Sequence, residues 1–424
     1  MQCHKTKLAN GLRLLTIPMP GFESATVTIW NNVGSRYETA KIEGIAHFFE
    51  HMVFKGGQKY PNAQAVSEAI DSFGGQCNAS TGKEVTKYYI KAPVAKLEAA
   101  FDILSDMLLT PALDKKEIEK ERGVIKAEID MYEDLPMNKV EEIFENLIYE
   151  GSQLEKDIIG TKKTVNGITQ SDFKRFLRGH YHADNMLVTV AGGVTPRLAK
   201  ALAEKYFKSL PKSKKIKTQK FTYKHKLPKL RLLYKKTDQT HLVVGYLGAP
   251  HGHADRYPEA VLASVLGGGM SSRIFTEVRE KRGLAYSVRT DADHYADTGS
   301  FTTYAGVTHQ KAPEAIKTIL AEYQKMTSVN AAKVSEQELK KAKEYLKGHL
   351  ALSLESTNAV NSFFGFEELM TGQVRSVEEV YKGIDQVQIE DVIRVAKKFF
   401  RPERLNLAFI GPFKSEEKFA KLLS

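Results

Sequence analysis

What this chain has little of narrows the field first. Its 424 residues include two cysteines, Cys3 and Cys77, far apart in sequence. That excludes a disulfide-stapled scaffold and suits a reducing compartment. No stretch approaches the roughly 20 apolar residues of a membrane span, and Met1–Leu15 carries lysines without an apolar run long enough for a signal-peptide core. A cytoplasmic chain that does not cross a membrane is expected. An acidic excess is also missing, since the formal net charge is +11. Such a balance would suit nucleic acid, but much of it sits in one stretch around Pro211 and Pro228, with Lys212, Lys214, Lys215, Lys217, Lys220, Lys224, Lys226 and Lys229. Neither aromatic interleaving nor a nucleic-acid motif accompanies those lysines, so they are expected to form a solvated linker, with no nucleic-acid partner.

The apolar fraction of 42% and charged fraction of 27% are those of an ordinary globular protein. The length exceeds one typical core and fits two domains of about 200 residues. Alternation in Leu12–Ile17 and Thr26–Trp30 predicts strands, followed by a loop over Asn31–Glu43 and a helix through His47. Ala63–Phe73 reads as a helix closed by Gly74-Gly75, and Gln76–Ala92 as one strand. Leu97, Ala100, Phe101, Leu104 and Leu108 repeat at helical spacing, and Asp114 to Glu117 opens a further long helix as a capping box. Helices over Val140–Glu150 and Gln170–His180, the strand Met186–Ala191 and the helix Arg197–Phe207 complete the first half.

The second half repeats the scheme. A second capping box, Ser335 to Glu338, lies 221 positions after the first, and Asp172 before the strand Met186–Ala191 is echoed 219 positions later by Asp391 before Leu405–Ile410. Two copies of one α+β unit follow, each a mostly antiparallel sheet packed against helices. The expected division is an N-terminal domain over 1–210, a basic linker over 211–230 and a C-terminal repeat over 231–424.

Chemistry concentrates in the first copy. In Gly44-Ile-Ala-His47-Phe-Phe-Glu50-His51-Met52, the polar residues stand at i, i+3 and i+4 of a helix and so share one face. Two imidazoles one turn apart can hold a metal ion, and a carboxylate between them can accept a proton from water that the metal activates. The bland alternative is a surface helix with two histidines. Against it, Phe48, Phe49, Met52 and Val53 crowd the same turns, and polar groups buried among them need partners. On the later long helix Ile118, Glu121, Ile125, Glu128 and Ile129 make one stripe, which turns two carboxylates inward, where they need a cation. Glu128 is the best candidate for a third ligand. An offset of 221 carries His47, Glu50 and His51 to Gly268, Ser271 and Ser272, so the second copy has lost the site. The run Leu266-Gly-Gly-Gly-Met270-Ser-Ser-Arg273 has neither phosphate-loop spacing and reads as a turn.

H-x-x-E-H followed after 76 residues by glutamate resembles the insulinase (pitrilysin) family of zinc metallopeptidases, above all its two-domain branch with the mitochondrial processing peptidases. Gly34–Glu38, His51–Gly56 and Phe73–Ala79 look like further family segments, and the likeness spans both halves. It implies one Zn2+ per chain held by His47, His51 and Glu128, Glu50 as general base, and Glu121 orienting a ligand histidine. For Glu121 a salt bridge to a nearby lysine is the competing role. The resemblance also matches Arg279 and Tyr286 to a pair that assists catalysis, with Arg282 as a competitor for the arginine. The pattern alone places Arg279 on the surface and Tyr286 in the core. Asn78 and Ala79 match the segment that binds substrate as an added strand, against a plain turn role for Asn78. Four such domains enclose a chamber in single-chain members. A two-domain chain carrying both the zinc motif and the Arg-Tyr pair is therefore expected to act on unstructured peptides as a homodimer, each site joining Glu50 of one protomer to Tyr286 of the other. A dedicated processing peptidase and a non-catalytic peptide-binding subunit are the alternatives.

Overall fold

The computed structural model describes residues 1–213, 216, 218–223, 225–327 and 334–423. Half of the lysines of the expected linker (Lys214, Lys215, Lys217 and Lys224) lie outside the described residues. The chain forms two compact units, one of Met1–Asp130, Lys156–Gln219 and Ser353–Val377, the other of Met131–Glu155, Lys220–Leu352 and Glu378–Ser424. Relative to a linear division at the linker, two segments are exchanged. The reason is local: each carries an amphipathic helix whose apolar face needs a sheet.

In the first unit six strands run in the order His4–Lys7, Arg13–Pro18, Met186–Gly192, Ser24–Asn31, Thr86–Pro93, Gln76–Thr81. All neighbours are antiparallel except Arg13–Pro18 beside Met186–Gly192. One face carries the main core, where Val27, Ile29, Tyr88 and Ile90 meet Phe48, Phe49, Phe101 and Leu104 from the helices Ile45–Val53 and Leu97–Leu109. The other face is covered by the helix Thr357–Thr371, whose Val360 and Phe364 pack with Leu15, Trp30 and Leu187. Gly365 is required there, because a Cβ would come within 2.6 Å of the Trp30 indole nitrogen.

The second unit has five strands in the order Lys229–Tyr234, Asn406–Gly411, Thr240–Gly248, Gly299–Val307, Ala285–His294, again with a single parallel pair at the same place. This is the first sheet without its edge strand His4–Lys7, so the expected repeat is present in topology. The helix Pro136–Ile148 lies on one face through Val140 and Phe144 against Val243, Tyr304 and Ala408. Arg256–Gly267, Ala312–Thr327 and Ile389–Phe399 build the core on the other. Of the glycine run after residue 266, Gly267 closes the helix Arg256–Gly267 at a close contact, where a Cβ would lie 2.7 Å from the Thr290 backbone nitrogen, and the turn begins at Gly268.

One expected element needs correction. Gln76–Ala92 is a hairpin of two strands, Gln76–Thr81 and Thr86–Pro93, turned by Gly82–Val85 with the Gly82 N–H donating to the Val85 carbonyl. Arg36, buried, fixes the turn by pairing with Glu84 at 2.5 Å. Among the described residues no helix is long and apolar enough to cross a membrane.

Candidate metal centre

The helix Ile45–Val53 starts abruptly at Gly44, whose φ of +91° is left-handed and whose missing Cβ leaves room for the Ile159 carbonyl 2.5 Å away. The buried carboxylate of Glu38 accepts from the N–H groups of Gly44 and Ala46 at 2.7 and 2.8 Å. Those donors would otherwise be orphaned at the helix start, and the helix dipole favours an acidic group there. Burial still pushes the Glu38 carboxyl well above its ordinary value. Phe48 and Phe49 anchor the opposite face in the core, edge-on to Phe173 and Tyr181 at 5.0 and 5.1 Å. Burying each ring contributes about 2–3 kcal/mol, so this face fixes the rotation of the helix and thereby the direction of His47, Glu50 and His51.

The long helix Lys115–Glu133 crosses in front of them. Ile118, Ile125 and Ile129 are buried, Glu121 is buried with them, and Glu128 is half-buried. Arg122 holds the helix in place, donating to the Ile168 carbonyl at 2.9 Å with its guanidinium 5.6 Å from the centre of the Phe48 ring. As a result one donor atom each from His47, His51 and Glu128 lie within 4.8 Å of one another. His47 Nε2 stands 3.7 Å from Glu128 Oε1, and His51 Nε2 stands 3.5 Å from Glu128 Oε2.

Donors about 2.1 Å from a tetrahedral zinc ion are about 3.4 Å apart, close to the two histidine–carboxylate separations, which run to the two oxygens of Glu128, so these three residues would hold one ion. Burial, with His51 adding to it, lowers the His47 pKa to about 4, which keeps its imidazole neutral and able to ligate at neutral pH. Burial raises the Glu128 carboxyl. A cation between these groups would reverse that, so the donor set fits zinc.

Glu121 does two jobs at once. Its Oε1 meets His51 Nδ1 at 2.8 Å and its Oε2 meets Lys55 Nζ at 2.5 Å. The roles weighed from sequence, orienting a histidine or pairing with a lysine, therefore coexist. Burial works to raise the Glu121 carboxyl, but the bonds to His51 and Lys55 outweigh it and hold the group below its ordinary value, an acceptor that keeps the His51 proton on Nδ1. Glu50 sits beside the cluster without joining it. Burial raises its pKa against a short bond from Thr81, whose hydroxyl donates to Glu50 Oε2 at 2.5 Å. Thr81, Lys55 and Arg122 were given no role from the sequence, because each acts through a partner distant along the chain, and Glu38 was given none because its bonds go to the backbone of the next helix.

Asn78 and Ala79 lie on Gln76–Thr81, the outermost strand of the first sheet, exposed and half-buried respectively. The Ala79 N–H donates to the Asn78 side-chain oxygen at 2.8 Å. That N–H is therefore not spent on the neighbouring strand. In the second unit Arg279 belongs to the turn Phe275–Glu280, with its guanidinium 4.9 Å from the centre of the Tyr286 ring. Tyr286 is 78% exposed, which corrects the core placement that its strand pattern suggests. Arg282 is engaged with Glu277, leaving Arg279 as the arginine beside the phenol.

Two α+β units of one topology, one bearing a histidine-histidine-glutamate cluster next to a glutamate, define a metallopeptidase-like protein. Comparison with known proteins gives the family. Residues 13–162 match the model of the insulinase family (peptidase family M16), and residues 167–346 match that of the peptidase M16 inactive domain. The chain is 35% identical to a protein described as an uncharacterized zinc protease, YmxG, of Bacillus subtilis, over 95% of this chain and 97% of that one. It is 36% identical to a protein of Rickettsia felis with the same description, over 96% and 97%. Among solved structures, a protease from Helicobacter pylori superposes with a TM-score of 0.91 at 25% identity, over 97% of this chain and 99% of that one. A peptidase M16 inactive domain from Pseudomonas fluorescens shares the fold, with a TM-score of 0.89 at 19% identity over 98% and 99%. The chain belongs to the insulinase (M16) family of peptidases.

Proposed function

We propose that this protein is a zinc-dependent endopeptidase acting on unstructured peptides, with His47, His51 and Glu128 holding one zinc ion per chain. The observation that carries the reading is the convergence of three donors of the right kind within 4.8 Å, with the Glu50 carboxylate beside them. Zinc held there supplies Lewis acidity toward water and a substrate carbonyl. Glu50 takes the proton of the attacking water and returns it to the leaving amine. Thr81 holds that carboxylate in place, its hydroxyl donating to Oε2. Glu121 and Lys55 keep the His51 ring oriented, and a substrate strand pairs along Gln76–Thr81, using the N–H of Ala79 once Asn78 turns aside.

Arg279 and Tyr286 complete the site from the partner protomer of a homodimer. Supporting this, both the ligand set and the pair of half-buried Arg279 and exposed Tyr286 are present on one chain, and among the described residues the Tyr286 hydroxyl meets no hydrogen-bond partner. Cleavage of a long, internally quenched, unstructured peptide tests the reading. Loss on chelation and recovery with zinc is expected, whereas cleavage indifferent to chelation would refute it. Zinc-loaded protein that leaves a broad peptide library uncut would favour a dedicated processing enzyme or a binding subunit.

A further inference from the structure

The helix Thr357–Thr371 covers the strands Arg13–Pro18, Met186–Gly192 and Ser24–Asn31 of the first sheet. Between this helix and the hairpin Gln76–Pro93 a cavity of about 640 Å³ remains open. Trp30, Val85, Phe363 and Phe366 supply its apolar walls, and Thr81 and Lys87 line it from the hairpin. Thr81 is also the residue that donates to Glu50, so one strand of the hairpin borders the cavity on this face and holds the proposed base on the other.

Lys87 is out of place in such a wall. Its ammonium reaches the Ser362 hydroxyl at 3.3 Å and lies 5.3 Å from the centre of the Trp30 ring, and among the described residues no carboxylate pairs with it. Burial lowers its pKa, and no charged neighbour contributes to the shift. Glu367, which also lines the cavity, is held by Arg375. A half-buried cation without a counter-charge is costly, and apolar walls strengthen its attraction for an incoming anion.

We propose that this cavity is a substrate subsite that reads a carboxylate of the bound peptide, the walls taking its hydrocarbon stem and Lys87 its charge. The inference rests on the reading of the protein as a peptidase. A carboxylate reaches such a site either from an aspartate or glutamate side chain or from the peptide's own C-terminus, and the two can be separated.

The experiment uses the full chain and fluorescent peptides of one unstructured sequence, with Glu or Gln at each position in turn and the C-terminus free or amidated. Affinity is read by anisotropy on the Glu50→Gln protein, and cleavage on the native one. A charge-assisted contact predicts that one carboxylate improves affinity roughly tenfold over its neutral counterpart. A preference following Glu over Gln assigns a side chain, and one following the free over the amidated end assigns the terminus. That ratio should collapse toward one in Lys87→Met, persist in Lys87→Arg and invert toward a lysine-bearing peptide in Lys87→Glu. Equal affinity for all carboxylate and neutral peptides, or discrimination undiminished in Lys87→Met, would overturn the subsite. Peptides discriminated but never cleaved would remove the peptidase reading and leave the subsite standing. Cleavage without discrimination would do the reverse.

Discussion

Thr81→Val probes the side-chain contact that ties the proposed base to the hairpin Gln76–Pro93. The substitution keeps the β-branched shape and removes only the hydroxyl that donates to Glu50 Oε2 at 2.5 Å. Hydrogen bonds to a charged group contribute about 1.5–3 kcal/mol, and each 1.4 kcal/mol is tenfold in rate, so kcat/KM near neutral pH should fall about 10- to 100-fold. The sign of the pH effect follows from the protonation state required. Burial already raises the Glu50 carboxyl and the Thr81 hydroxyl opposes that rise, so losing it raises the pKa further. The ionised base then persists only at higher pH, and the acidic limb of the rate profile moves upward. Thr81→Ser should restore the native profile. Rates of peptide cleavage across the acid range, with bound zinc measured on the same samples, check this. An unchanged acidic limb in Thr81→Val, with zinc retained, would refute the assignment of Glu50 as the base that Thr81 tunes.

Other perturbations reach different parts of the account. Glu121→Gln leaves His51 Nδ1 and Lys55 without their shared carboxylate, and zinc affinity measured by chelator competition should drop about 10- to 100-fold; an unchanged affinity would return Glu121 to a purely structural role. Tyr286→Phe should slow turnover by about 10². Mixing that variant with Glu50→Gln should regenerate about a quarter of native activity if each site is shared between protomers, and none if it lies within one chain. In the second unit Glu259 is fully buried, accepts from the Ala249 N–H at 3.2 Å, and is pushed by burial from its ordinary 4.5 to about 8. The unfolded chain gives up that proton near 4.5 while the fold retains it, so stability declines as pH rises through this interval, by up to about 1.4 kcal/mol per unit. Glu259→Gln should flatten the decline in urea unfolding between about pH 5 and pH 8, and an unaltered slope would contradict the burial argument.

The ligand helix was legible because its pattern is local: three polar heads at i, i+3 and i+4 against Phe48, Phe49 and Met52 can face only one way. The inward stripe of Lys115–Glu133 was legible for the same reason, and the shared offset of the two capping boxes revealed a repeat that recurs in the order of both sheets. Relations set at long range were not. In Gln76–Ala92 a single glycine, Gly82, is the local mark of a turn that is fixed by Arg36 reaching Glu84 across 48 residues. Apolar spacing announces Pro136–Ile148 and leaves open which sheet receives it. Tyr286 alternates like a buried strand residue, yet it occupies an exposed position where Arg279 rather than a core neighbour covers its ring. Thr81 reads as an ordinary β-former until the fold sets it against Glu50.

The most direct test of the central claim is made on Glu50→Gln, by counting zinc and following cleavage of the quenched peptide in a single preparation beside the native protein. About one zinc ion per chain in both proteins, with turnover lost only in the variant, is the result expected of three ligands and a separate base. Native turnover by Glu50→Gln, or native protein that cleaves the peptide with no zinc bound, would contradict it.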